Sequence, residues 1–200
     1  MIKIYGTPRS TAFRCYWLME EIGGIEYEAQ ALDFAKGEHK SAEYLKLNPN
    51  GKVPTMVDGD IVIWESMAIC YYLMEKYQAL QFVGTTAKEH AEVNQWNFWS
   101  VVHLTNAFDP LVMQVYRKTP DSEATKLARE QELPRYLGVL EGHLAGKEYM
   151  VMDKFTLADI TAMSVVRMSA FVNYDLSTYP NITAWMARLS EREAYKKVSA

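Results

Sequence analysis

Cysteine is scarce in this chain, with only Cys15 and Cys70 among 200 residues. Both fall inside apolar helical patterns, with no Cys-x-x-Cys pair and no Cys/His spacing of the kind zinc takes. They read as buried free thiols. No apolar run approaches the ~20 residues that span a bilayer. The N-terminus, MIKIYGTPRS, has neither the long apolar core nor the small-residue cleavage site of a secretory signal. These absences lead us to expect a soluble, cytoplasmic protein with no membrane partner. No sign of charge dominates either: 21 basic and 25 acidic residues, net −4, are spread along the chain. That excludes the basic stripe of a nucleic-acid-binding face. What the chain has instead is 49% hydrophobic residues over a length that makes one large domain or two small ones.

The most informative stretch is 48–69, NPNGKVPTMVDGDIVIWESMAI. Asn48-Pro49-Asn50-Gly51 is a dense turn signal, and Val53-Pro54 leads into an apolar strand, Thr55-Met56-Val57. Asp58-Gly59 is a hairpin dipeptide, followed by a second strand at Ile61-Val62-Ile63-Trp64. Glu65-Ser66 then opens a helix with Ala68, Ile69, Tyr72 and Leu73 at helical spacing. A proline heading a strand donates no N–H, which leaves the backbone of Val53 free to pair with an extended peptide. A helix N-terminus at Glu65-Ser66 presents amides and a positive dipole end to a carboxylate. A short peptide with an acid at one end suits both.

Ile2-Lys3-Ile4-Tyr5 reads as a first strand, broken by Gly6-Thr7-Pro8-Arg9. Residues 11–23 place Ala12, Cys15, Tyr16, Met19 and Ile22 at helical spacing and end near Gly23-Gly24. A second strand lies between Ile25 and Leu32, and a short helix between Lys40 and Leu47. The character of the chain changes near residue 78, with a linker over 78–85. Thr86 to Glu89 has capping-box form, and no strand alternation follows. Val93, Trp96, Ser100, Leu104 and Phe108 mark one helical face, with Pro110 as a kink or break. Leu133, Leu137, Leu140 and Leu144 mark another face, beginning near Pro134. Thr156 to Asp159 is a second capping box, with Phe155 and Ile160 placed as a hydrophobic staple, and it opens an uncharged, surrounded helix.

The run NPxGKVPxM, a hairpin and then ESMAI resembles the glutathione-binding half of the cytosolic glutathione transferases. The likeness is to the serine-type, bacterial-like members. The resemblance implies an α/β thioredoxin-like domain over 1–79 followed by an all-α domain over 86–200. It further implies that Pro54 is a cis proline, that Val53 binds the cysteinyl part of glutathione through its backbone, and that Glu65 and Ser66 hold the γ-glutamyl end. Glutathione would be a co-substrate, with no metal, and the reaction a detoxifying conjugation to a hydrophobic electrophile. The family's homodimers suggest the same assembly here.

Glutathione transfer needs a thiolate at neutral pH. Ser10 lies in the turn before the first helix with Arg14 four residues on, and taken alone it reads as a helix N-cap. In the serine-type transferases a serine so placed donates a hydrogen bond to the glutathione sulfur. A hydrogen bond to a charged group is worth ~1.5–3 kcal/mol, or about one to two pKa units. Thr11 and Tyr5 remain rivals for this role. Cys15, the nucleophile type of cysteine-dependent relatives, follows Arg14 on an apolar stripe and would point inward. Lys52 and His39, with Lys40, would reach the glycine carboxylate of glutathione; otherwise they are surface residues. The electrophile would bind near His103, Asn106, Phe108, Leu111 and Tyr116. Two other readings stay open: a non-catalytic binding or regulatory protein of this fold, and a specialised glutathione-dependent isomerase, dehalogenase or peroxidase.

Overall fold

Isoleucines at positions 2 and 4 point one way and are buried, which makes Ile2–Tyr5 a strand, β1. In the computed structural model, which describes residues 1–200, β1 lies within a four-stranded sheet of order β2-β1-β3-β4. β2 (Tyr27–Gln30) runs parallel to β1, with Tyr27 opposite Ile2. β3 (Thr55–Asp58) runs antiparallel to β1, with Met56 opposite Ile4, and β4 (Ile61–Trp64) completes the hairpin. Three helices accompany the sheet: α1 (Phe13–Ile22), α2 (Ala42–Leu47) and α3 (Ser66–Lys76). The order strand, helix, strand, helix, hairpin, helix is that of a thioredoxin-like domain. Ile4, Trp17, Leu18, Met56, Ile69 and Leu73 are fully buried at its centre. α1 is buried all round from Phe13 to Met19, so it is an interior helix, not an amphipathic surface one.

The chain forms two units, residues 1–80 together with 192–200, and residues 81–191. The last nine residues, which the sequence places in the helical second domain, pack with the first unit through α11 (Glu193–Ser199). The reason is chemical complementarity. The Tyr195 ring sits edge-on to Phe13 and Trp17, at 5.6 and 4.9 Å, and the Arg192 guanidinium forks onto Glu21 at 2.6 and 2.7 Å.

The second unit is helical. α4 (Ala87–Trp99) starts with the capping box of Thr86 and Glu89, passes through a π turn at Ser100–Leu104 and continues as α5 (Thr105–Arg117). Pro110 lies inside this path without ending it. α6 (Glu123–Leu127), a π turn at Ala128–Glu132 and α7 (Leu133–Leu144) form a second path. This helix begins at Glu123 under a Ser122 cap, eleven residues before the proline that reads as its start in the sequence. A proline ring presses on the carbonyl four residues back, here Glu130, and that carbonyl lies in the wider π turn. Every residue of α8 (Leu157–Val166) is buried, as the absence of charge between Asp159 and Arg167 predicts. α9 (Met168–Phe171) and α10 (Pro180–Ser190) complete the unit. No helix is long and apolar enough to cross a membrane.

Candidate functional site

The loop after β1 closes on the turn before β3 because residue 6 has no side chain. At Gly6 φ is +121°, and a Cβ there would lie 3.1 Å from the Cβ atoms of Ala12 and Val53 and 3.2 Å from Ser10 Oγ. Ser10 and Val53 therefore meet around Gly6. The half-buried Ser10 hydroxyl donates to the Thr7 carbonyl at 2.8 Å and accepts the Ala12 N–H at 3.2 Å. Ser10 thus caps the turn into α1, and its oxygen keeps a second lone pair. Thr11 is committed elsewhere: its hydroxyl donates to the Val53 carbonyl at 3.0 Å. Tyr5 tilts against the Tyr44 ring at 5.5 Å. The Val53-Pro54 peptide bond is cis, as the resemblance implies.

Val53 is held from behind by residues that sequence reasoning missed. The Tyr44 hydroxyl donates to the Lys52 carbonyl at 2.7 Å and lies 2.8 Å from Thr55 Oγ1. Its single proton is spent on Lys52, so Thr55 donates to Tyr44. Asn48 uses both amide protons, one on the Lys52 carbonyl at 2.8 Å and one on Thr55 Oγ1 at 3.0 Å. All three side chains are buried, so the network is both satisfied and confined to one geometry. Asn48 stands out in sequence as a turn residue; Tyr44 and Thr55 carry no local sign of this role.

A basic rim adjoins Val53. Gly51 has φ of +58°, and a Cβ there would clash with Lys40 Nζ at 2.6 Å and the His39 carbonyl at 2.8 Å. Lys40 donates to the Asn50 carbonyl at 3.1 Å. His39 stacks on Phe34 at 4.4 Å and its Nδ1 has no hydrogen-bond partner. Lys52 is exposed beside them. The fold brings His39, Lys40 and Lys52 together from two segments.

The start of α3 shows two unusual residues. Glu65 is exposed with φ +75° and ψ +115°, a conformation that costs a side-chain-bearing residue ~1–3 kcal/mol, and it gives the helix no side-chain cap. Ser66, the first helical residue, is buried, and its carbonyl accepts from Cys15 Sγ at 3.5 Å. Arg14, beside Cys15 on α1, is only 2% exposed and its Nε has no hydrogen-bond partner. Burial lowers the Arg14 pKa, while the Cys70 and Cys15 thiols and the Glu65 carboxylate act to raise it. Burial likewise pushes the Cys15 thiol well above its ordinary range. Cys15 therefore keeps its proton at neutral pH and is no nucleophile.

The five residues expected around an electrophile do not form one site. Phe108 and Leu111 are fully buried in the helical core. Tyr116 is 62% exposed near the end of α5. His103 and Asn106 line a cavity of about 260 Å³ with Val102, Pro110, Leu127 and Tyr136, and His103 stacks on Tyr136 at 5.6 Å. A cavity of about 320 Å³ beside Trp96, His143, Lys147 and Tyr149 contains none of the five. No three His, Cys, Asp or Glu side chains cluster in a way that would hold a metal ion.

Comparison with known proteins decides the family. The family model described as glutathione S-transferase, N-terminal domain, matches residues 1–75, and the one for the C-terminal domain matches residues 104–193. The chain belongs to the glutathione S-transferase family. A probable glutathione S-transferase of Oryza sativa subsp. japonica is 33% identical over 100% of this chain and 96% of its own length. Glutathione S-transferase 1 of Zea mays is 34% identical over 100% and 96%. Among solved structures, a glutathione S-transferase-I bound with lactoylglutathione aligns with a TM-score of 0.87 at 33% identity, covering 99% of this chain and 98% of that one. Glutathione transferase F2 of Populus trichocarpa aligns at 0.89 with 29% identity, covering 100% and 97%. The thioredoxin-like sheet and helical second half of this transferase are those of the family.

Proposed function

We propose that this glutathione transferase binds glutathione within its thioredoxin-like segment, 1–79, with the cysteinyl backbone on Val53 and the γ-glutamyl end on Glu65 and Ser66. His39 and Lys52 face the glycine carboxylate, and Ser10 faces the sulfur. The observation that carries this reading is the meeting of Ser10 Oγ and Val53 around Gly6: a peptide paired with the Val53 backbone has its side chain near that hydroxyl.

The chemistry follows from the hydroxyl's single proton. In the structure that proton is donated to the Thr7 carbonyl oxygen, so donation to sulfur requires Oγ–H to rotate, exchanging a neutral acceptor for a charged one. The exchange is favourable, because hydrogen bonds to charged groups are worth ~1.5–3 kcal/mol against ~0.5–1.5 for neutral ones. The thiol proton leaves to solvent, and the thiolate attacks an electrophilic carbon, forming the carbon–sulfur bond as the leaving group departs with its electron pair. Thr11 is the weaker candidate because its proton already serves Val53.

Family likeness supports a hydrophobic electrophile, a detoxifying role, a cytoplasmic location and a homodimer. The exposed Ile61, Val62 and Trp64 on edge strand β4, and Phe98 and Val102 along the α4 path, support the last of these. The test is titration calorimetry with glutathione, followed by conjugation to a generic aromatic halide, for wild type and Ser10→Ala. We expect binding by both and a large loss of turnover in the variant. No binding at millimolar glutathione would overturn the reading.

A further inference from the structure

The cavity of about 320 Å³ beside Trp96 lies within the helical unit and has no part in the chemistry above. Its floor is a stack, with the Trp96 ring of α4 4.0 Å from the imidazole of His143 on α7. Further along the same path, Trp99 and His103 both meet Tyr136, so α4 and α7 run antiparallel here. Glu92 lies four residues before Trp96 and Lys147 four residues after His143, which sets the two charges across the cavity from one another. Each is engaged elsewhere. Glu92 pairs with Lys88 at 3.7 Å, and Lys147 donates to His143 Nδ1 at 3.2 Å. Because an ammonium only donates, His143 is neutral, with its Nε2–H given to the Met150 carbonyl at 2.7 Å.

A tight hairpin completes the wall. The Val151–Lys154 bridge closes it, and its central residues, Met152 and Asp153, have φ of +62° and +48°. Such a turn favours Asn-Gly, yet here both left-handed positions carry long or charged side chains, and both line the cavity. Trp96, Tyr149 and Met152 thus supply apolar surface, Lys147 a cation, and Glu92 and the exposed Asp153 two carboxylates. A purely cationic ligand would meet Lys147, and a purely anionic one would meet Glu92 and Asp153. A zwitterion answers both. The volume is at the small end for ligand sites, which run from ~300 to ~1,000 Å³.

We propose that this cavity binds a free amino acid with an aromatic side chain. Its α-carboxylate lies on Lys147, its α-ammonium at Glu92 and Asp153, and its ring against Trp96 and Tyr149. None of these residues enters the glutathione reading, so the two are tested separately.

The test is titration calorimetry of the full-length protein with three probes: L-phenylalanine, phenethylamine, which lacks the carboxylate, and 3-phenylpropionate, which lacks the ammonium. Wild type should bind phenylalanine about 3- to 10-fold more tightly than either, the effect of one partly exposed charge contact. Lys147→Met should erase the preference over phenethylamine and keep that over 3-phenylpropionate. Glu92→Gln/Asp153→Asn should do the reverse. No binding of phenylalanine at millimolar concentration, equal affinity of wild type for the three probes, or unchanged preferences in the variants would overturn the proposal. If one variant does not fold, the other decides: loss of its own preference alone supports the site, and loss of both or neither overturns it.

Discussion

The two units each bury a charge at a helix start, and they treat it in opposite ways. Asp159, in the first turn of α8, is fully buried and accepts four hydrogen bonds, from the Met150 N–H at 3.0 Å, Trp185 Nε1–H at 2.9 Å, the Thr156 N–H at 2.9 Å and the Thr156 hydroxyl at 3.1 Å. Arg14, in the first turn of α1, is almost as buried, yet its Nε is left unpartnered. A saturated buried charge belongs to the architecture, whereas Arg14 is left with an unpartnered Nε and feels only one carboxylate, Glu65, at the strained start of α3. The comparison separates what folds the transferase from what equips it.

Its sharpest test is removal of the saturated charge. Asp159→Ala leaves four donors without an acceptor and should cost about 3–5 kcal/mol, which in a chain of this size lowers the melting temperature by roughly 10 °C or more. Thermal melts should show that loss while glutathione affinity of the folded protein is unchanged. A cost within ~1 kcal/mol would break the contrast.

On the other side, Ser10→Ala should lower conjugation at neutral pH by about 10- to 100-fold while costing no more than ~1 kcal/mol of stability, the worth of one turn cap. Turnover should recover at alkaline pH, where glutathione ionises unaided. Tyr44→Phe sits between the two classes. It removes the donor to the Lys52 carbonyl and should cost about 1 kcal/mol in urea unfolding, with a raised KM for glutathione as the Val53 segment loosens.

The smallest effect is electrostatic. Bonds from the Thr85 and Thr86 backbone N–H groups, the first of them the largest influence, hold the Glu89 carboxyl down at about 2. Its folded pKa lies below its ordinary value, so the folded state binds fewer protons. The stability it adds is present above pH ~4.5 and lost as pH falls toward 2. Melting curves over that window should fall less steeply in Glu89→Gln than in wild type, and equal slopes would remove Glu89 from the account.

Much of this was legible in the sequence because the signals were local. Asp58-Gly59 marks the β3–β4 hairpin, Thr86 to Glu89 marks the start of α4, and the uncharged run after Asp159 announces a buried helix. The meeting of Val53 with Ser10 followed from a resemblance spread over several such signals. What stayed hidden depends on distant partners. The burial of Arg14 shows only once α1 is seen to be enclosed, since charge is rarely buried. Tyr44 and Thr55 meet through tertiary contact, and α11 joins α1 across more than 170 residues of chain. Phe108 and Leu111 have the spacing of pocket residues and of core residues alike, and packing makes them core. Pro134 looked like a helix start because only the π turn before it lets the helix run through.

The measurement closest to the centre is the ultraviolet titration of the glutathione thiol bound to wild type and to Ser10→Ala. We expect ionisation about one to two pH units below free glutathione in wild type, with most of that shift gone in the variant. Identical titration curves for the two proteins would contradict it.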